Sequence, residues 1–303
     1  MSRSLRLLVI GLLAAVAASC APNGPGSGTN VPVKVITTTT IFADMVRQVG
    51  GDRVSVETLV PRGGEVHTFD PTPGDIRRIT EARLAFRNGL GLDDWLAALI
   101  EDAGTSAPLV ELGPGLPGVT VIAGGQGSGE AVNPHLWMNI AYGSLYAQRI
   151  AAELVKVDPD GAAVYRGNLA AYEARLADLD AYAREQLGAI PEANRTVVSF
   201  HDAFPYFAQA YGLTIDGTIV DAPGQDPSAG SVAALVDTIR AKGVRAIFAE
   251  AQFNPDLAQT IAAETGARIV ATLYTDSVGE APQDTYESMM RWNIDQVVAA
   301  LRG

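Results

Sequence analysis

The sequence carries one cysteine and three histidines in 303 residues. A single cysteine forms no disulfide within the chain, and it excludes zinc or iron–sulfur sites built on several thiolates. Positive charge is also scarce: 22 Lys and Arg stand against 34 Asp and Glu, a net charge of −12. That balance argues against nucleic acid or any other polyanion as a partner. The apolar run near the N-terminus, 7–18, falls short of the roughly 20 residues that a helix needs to cross a bilayer core. What the sequence does have is a 48% hydrophobic composition and a mean hydropathy of +0.14, which exclude a disordered chain and suffice for two ordinary domains or one large one. Any bound metal would have to be held by histidine and carboxylate.

The first residues, MSRSLRLLVIGLLAAVAASC, have the layout of a secretory signal over 1–19: two arginines, an apolar stretch, then small side chains. Cys20 directly follows Ala17-Ala18-Ser19, which resembles the lipobox of bacterial lipoproteins, with alanine where leucine is commoner three residues before the cysteine. Lipidation would make Cys20 the new N-terminus and tie the protein to the lipid membrane. The next stretch, to residue 30, is rich in Pro, Gly, Ser and Asn and reads as a flexible tether. The expectation is an extracytoplasmic, membrane-anchored lipoprotein, at the cell surface or in the periplasm. Removing 1–19 takes away Arg3 and Arg6 and no acid, so the remainder is still more acidic.

From Val33 onward, short β-rich runs alternate with helical ones, the pattern of an α/β fold with parallel strands. Strands are expected at 33–39, 54–59 and 84–88, with helices at 42–49, 75–82 and 94–101, forming an N-terminal lobe over 31–142. A second series, with strands at 196–200, 217–220, 246–250 and 269–273 and helices at 203–211, 231–241 and 255–265, forms a C-terminal lobe over 191–303. Between them, in a linking region over 143–190, Tyr165, Leu169, Tyr172, Leu176 and Leu179 recur at three- and four-residue steps, the mark of an amphipathic helix. It is expected at 159–187, roughly 42 Å at about 1.5 Å per residue. The fold class is therefore α/β: two lobes, each with a mostly parallel sheet flanked by helices, joined by one long rigid helix. The glycine-rich segment 113–132 reads as an exposed loop.

The histidines fall at EVHTFDP (His67), NPHLWMN (His135) and SFHDAFP (His201). Each is read as lying at a strand end or in the loop beyond it, where open α/β sheets place their ligand sites. Asp202 or His201 itself is expected to open the following helix. Singly, each imidazole could be a cap or a core residue; three placed alike point to one site. Three neutral imidazoles and one carboxylate give a borderline-soft divalent ion four ligands. Two carboxylates could supply the fourth: Glu250, ending AIFAE, and Asp276, in LYTDSVG.

The segments PRGGEVHTFDPTPGDI, FRNGLGLDDWL, NPHLWMN, SFHDAFPYFAQAYGL, IFAEAQFNPDLAQTIAAETGA and LYTDSVG resemble, in that order, those of the cluster A-I (TroA-like or ZnuA-like) solute-binding proteins, the metal-capturing lipoproteins of zinc and manganese ABC transporters. The resemblance runs from about Val33 to Leu301. It implies metal ligands at His67, His135, His201 and Asp276, with Glu250 beside them orienting an imidazole. It implies a divalent metal ion and a membrane permease as partners, a monomer, and no enzymatic activity. Histidine at the third position is typical of zinc binders and glutamate goes with manganese, so His201 favours Zn²⁺, with Mn²⁺ the alternative. Two flanking carboxylates common in the family are amides here, Asn133 and Asn139, which lowers local negative charge. The histidine-rich loop of many zinc importers is absent from 113–132.

Two other classes were weighed against this one. A zinc hydrolase needs an open coordination position and a general base, and the sequence has no HExxH pair. A surface adhesin has no support in the residues.

Overall fold

Unbroken apolar runs mark strands buried on both faces, as parallel sheets require. Val33–Thr37 (β1) and Leu84–Arg87 (β3) are almost wholly buried, and Ala246–Glu250 (β7) is buried throughout. Val54–Thr58 (β2), by contrast, alternates between half-buried and exposed, as befits an edge. The structure is a computed structural model that describes residues 31–125 and 131–302. The expected secretory signal, Cys20 and the tether lie outside the described residues.

Two four-stranded parallel sheets are built with the same topology. The first has the order β2-β1-β3-β4, where β4 is Leu109–Glu111. Its helices are α1 (Thr40–Gly50), α2 (Pro73–Glu81) and α3 (Trp95–Asp102). Helices α4 (Ile140–Val157) and α5 (Ala162–Gly188) follow. The second sheet has the order β6-β5-β7-β8, with β5 at Thr196–Ser199, β6 at Thr214–Thr218 and β8 at Arg268–Leu273. Its helices are α6 (Pro205–Tyr211), α7 (Ala229–Lys242) and α8 (Asp256–Thr265), and the chain closes with α9 (Tyr286–Leu301). Registers are set by apolar pairs: Val35 stands beside Val56 and Leu84, and Val198 beside Ile247. In each sheet the order reverses between the first and third strands of its set, which opens a crevice at their carboxyl ends.

Helix α5 has 27 residues, about 40 Å. Its buried side chains, Tyr165, Tyr172, Leu176, Leu179, Ala183 and Leu187, lie on the stripe expected from the sequence and face α1, α4 and α9. Its start is pinned by Asp158, which accepts both Arg53 Nε and Nη2 at 2.8 Å and the Tyr165 hydroxyl at 2.5 Å. A Cβ at Gly161 would collide with that Asp158–Arg53 pair, so glycine is required there. One apolar core runs from β1 and β3 through α1, α4, α5 and α9 to β7 and β8; smaller clusters fill the outer face of each sheet.

The structure corrects several expectations. Strand β4 and helices α4 and α9 did not stand out in the sequence. The strand β6 lies at Thr214–Thr218 rather than 217–220, because the edge it forms is only half-buried while the more apolar Ile219 and Val220 belong to the turn after it. Helix α6 begins at Pro205, not at His201 or Asp202. Among the described residues of 113–132, Leu116 is buried and the Ile122 N–H donates to the Tyr206 hydroxyl at 3.0 Å, so parts of this stretch pack against the protein while others are exposed.

Candidate metal centre

The three histidines and Asp276 come together. One nitrogen or oxygen from each of His67, His135, His201 and Asp276 lies within 4.8 Å of every other. Three of the four residues are buried and His67 is half-buried. His201 stands two residues past β5, Glu250 ends β7 and Asp276 follows β8, so the crevice of the second sheet supplies them. His67 comes from the loop after β2. His135 is not near a strand end: it sits on the turn Leu136–Met138 that leads into α4.

That turn is held on both sides. Pro134 O accepts the Asn88 amide at 3.0 Å, and Asn88 in turn accepts the Tyr146 hydroxyl at 2.6 Å. Trp137 donates its indole N–H to Thr275 O at 2.7 Å, and its carbonyl accepts the Tyr286 hydroxyl at 2.5 Å. The Tyr286 hydroxyl lies against Gly143, where a Cβ would stand 2.6 Å from it. Asn139 then caps α4, accepting the Ala141 N–H at 3.0 Å.

Neighbours fix which nitrogen His135 and His201 present. Asn133 Oδ1 accepts the His135 backbone N–H at 3.1 Å and lies 3.2 Å from its Nδ1, while Asn133 Nδ2 donates to Asp202 Oδ2 at 3.0 Å. His135 therefore carries its proton on Nδ1 and turns a lone pair at Nε2 toward the cluster. His201 Nδ1 lies 2.6 Å from Glu250 Oε2, and its backbone N–H donates to Glu250 Oε1 at 3.1 Å. Its Nε2 likewise faces inward, 3.3 Å from His135 Nε2. Asp276 Oδ1 is 3.5 Å from His135 Nε2, and its Oδ2 is 3.5 Å from His201 Nε2. Ligands about 2.0–2.1 Å from a tetrahedral ion stand about 3.3 Å apart, so these spacings suit one small ion between the donors.

The charges answer one another. Burial works against a charged imidazole at His201, but Glu250, Asp276 and Glu65 outweigh it and push the group up to about 10. At His135 burial wins over the attraction of Asp276 and the pKa falls. Burial works against the Asp276 carboxylate too, yet the imidazoles of His135, His201 and His67 around it hold its pKa below the usual carboxylate range. A cleft of about 600 Å³, lined by His67, Thr68, Leu90, Asp94, Val132 and Gln225 among others, reaches this cluster from outside.

Three supporting residues were not anticipated from the sequence. Asn133, noted only as a loss of charge, touches His135 directly. Glu65 does the same for His67, its Oε1 accepting the His67 backbone N–H at 2.9 Å. The signal was a polar acceptor two residues before each histidine, in Glu65-Val66-His67 and Asn133-Pro134-His135. The Gln252 amide nitrogen, with two hydrogens to share, lies 3.2, 2.8 and 3.0 Å from the acceptors Glu250 Oε2, Thr275 Oγ1 and Asp276 Oδ2, and it had no local signature.

Comparison with known proteins places the chain in a family. The family described as zinc-uptake complex component A, periplasmic (ZnuA) matches residues 35–300. The manganese-binding lipoprotein MntA of Halalkalibacterium halodurans is 31% identical over 296 residues, 97% of each chain. The iron ABC transporter substrate-binding lipoprotein MtsA of Streptococcus pyogenes serotype M1 is 28% identical, covering 93% of each. The periplasmic zinc-binding protein TroA from Treponema pallidum superimposes with a TM-score of 0.82 at 26% identity, over 90% of this chain and 100% of that one. The chain thus belongs to the ZnuA family and is the substrate-binding component of a metal ABC transporter, with a divalent metal ion as cargo and a membrane permease as partner, and not an enzyme.

Proposed function

We propose that the protein captures one Zn²⁺ through His67, His135, His201 and Asp276, with Glu250 orienting His201, and passes it to the permease. The observation that carries this reading is the inward-facing set of His135 Nε2, His201 Nε2 and the Asp276 carboxylate at 3.3–3.5 Å, with both Nδ1 atoms already engaged elsewhere. A nitrogen-rich set of four suits zinc, whereas manganese favours more oxygen. Four protein ligands also leave no open position for a catalytic water. Manganese is the second reading, favoured by relatives whose names specify manganese. Calorimetric titration of metal-free protein tests the assignment: zinc binding at micromolar or tighter, lost in His201→Ala, is expected. Zinc binding that His201→Ala leaves unchanged overturns it.

In this reading the lobes 31–142 and 191–303 flank the cargo, the linking region 143–190 with its long helix limits hinge bending, and release comes from local movement of the loops. The protein works as a monomer, secreted by its segment 1–19 and anchored through lipid on Cys20. Labelling cells with a radioactive fatty acid checks the anchor: label in the wild type and none in Cys20→Ala is expected, and equal label in both rejects it.

A further inference from the structure

Asp276 has two oxygens facing the cluster, and they are not equivalent. Oδ1 accepts no hydrogen bond and points to His135 Nε2 at 3.5 Å. Oδ2 accepts the Gln252 amide at 3.0 Å. The orientation of that amide is fixed by its surroundings: the same nitrogen faces Glu250 Oε2 and Thr275 Oγ1, and Thr275 spends its own hydroxyl hydrogen on Glu250 Oε2 at 2.7 Å. All three neighbours are acceptors, so only the NH₂ end fits. Gln252 therefore ties the carboxylate that supports His201 to the carboxylate facing the ion.

We propose that Gln252 is a metal-specificity residue: by hydrogen-bonding Asp276 Oδ2 it leaves Oδ1 as the carboxylate oxygen free to bind the ion, and so keeps the site four-coordinate. The inference rests on the ligand assignment proposed above and adds what decides the coordination number. With Gln252 in place, the donors are three nitrogens and one oxygen, a set that fits tetrahedral Zn²⁺. Without it, Oδ2, which already stands 3.5 Å from His201 Nε2, loses its hydrogen bond, and Asp276 can chelate through both oxygens. The site then gains a fifth donor, and that donor is oxygen, which suits Mn²⁺ better than Zn²⁺. Gln252 is a positioning residue, half-buried and outside the apolar core, so its replacement leaves the fold intact.

The test compares wild type, Gln252→Ala and Gln252→Leu, each stripped of metal. Zn²⁺ and Mn²⁺ affinities come from competition titrations, and the Co²⁺-loaded protein supplies a visible absorption spectrum that reports coordination number independently of affinity. The wild type is expected to give the intense bands of tetrahedral Co²⁺. Both variants are expected to give the weaker bands of five-coordinate Co²⁺ and to shift the Mn²⁺-to-Zn²⁺ affinity ratio upward by roughly tenfold, the scale on which outer hydrogen bonds tune metal sites. If both variants keep the tetrahedral spectrum and the wild-type ratio, Gln252 does not set specificity. Failure of the underlying ligand assignment looks different: the wild type itself binds no divalent ion, or Asp276→Asn binds as the wild type does.

Discussion

Nδ1 of His201 lies 2.6 Å from Oε2 of Glu250, both side chains buried. This contact sets the tautomer of the imidazole and raises the basicity of the nitrogen facing the cluster. Replacing Glu250 by Gln keeps the shape and removes the charge. Metal affinity of Glu250→Gln is expected to fall by roughly 10- to 100-fold, with Glu250→Ala at the lower end of affinity. A titration showing wild-type affinity in both would contradict the orienting role.

The same contact makes binding depend on pH in a defined way. His201 is pushed up to about 10 in the metal-free protein, so near neutral pH it holds a proton that the metal must displace. His135 has its pKa lowered and holds none there. His201 therefore gives up its proton when the ion binds, and that step by itself raises apparent affinity about tenfold per pH unit between pH 7 and 9. Calorimetry in buffers of differing ionisation enthalpy counts that proton directly; a count near zero at pH 7.5 rejects the assignment.

Linkage gives the matching effect on stability. A cationic group whose pKa is higher folded than unfolded contributes stability that is full below the unfolded value and lost as pH rises through the folded one. For His201 that window runs from 6.5 to about 10. The metal-free protein is expected to lose thermal stability across that range, and His201→Gln is expected to flatten the loss. Melting curves at half-unit steps of pH check both.

Much of this centre was legible in the sequence, and the rest was hidden for a physical reason. His201, Glu250 and Asp276 lie at or just past recognisable apolar strands, so their placement followed from the pattern. Gln252 and Thr275 carry no such mark. They meet because β7 and β8 run parallel with Glu250 opposite Leu273 and the Ala251 N–H bonded to Leu273 O at 2.8 Å, a pairing made only in the folded sheet. His135 was found by its residue type, but its setting was misjudged, since a turn before a helix and a loop after a strand look alike in sequence. Helix α4 escaped notice because the seam between lobe and linker was drawn at 142, inside its first turn.

Tyr172 offers a test of the core. Its ring is fully buried on α5 and its hydroxyl has no hydrogen-bond partner among the described residues. A buried polar group without a partner costs about 1–3 kcal/mol. Tyr172→Phe removes the hydroxyl and keeps the ring, so it is expected to stabilise the protein by about 1 kcal/mol in urea unfolding. A destabilised variant would show that the hydroxyl has a partner in solution.

Thr40 offers the last test, because it anchors the loop that carries Asp276. Its hydroxyl oxygen accepts the Val278 N–H at 3.0 Å and its hydrogen goes to Ser277 Oγ at 3.3 Å. Ser277 Oγ also accepts the Gly63 N–H at 2.9 Å. One buried hydroxyl thus ties the start of α1 to the loop after β8, and the next ties that loop to the one after β2. Thr40→Val keeps the volume but leaves the Val278 N–H unpaired, at a cost of about 1–3 kcal/mol. With the loop after β8 no longer tied to α1, Asp276 can move away more readily, so the metal off-rate should rise while the on-rate stays near wild type. Thr40→Ser restores the hydroxyl and should restore both stability and off-rate. Stopped-flow release into a chelator, run on all three proteins, decides it: equal off-rates for Thr40→Val and wild type would mean that this hydroxyl pair has no part in holding the metal.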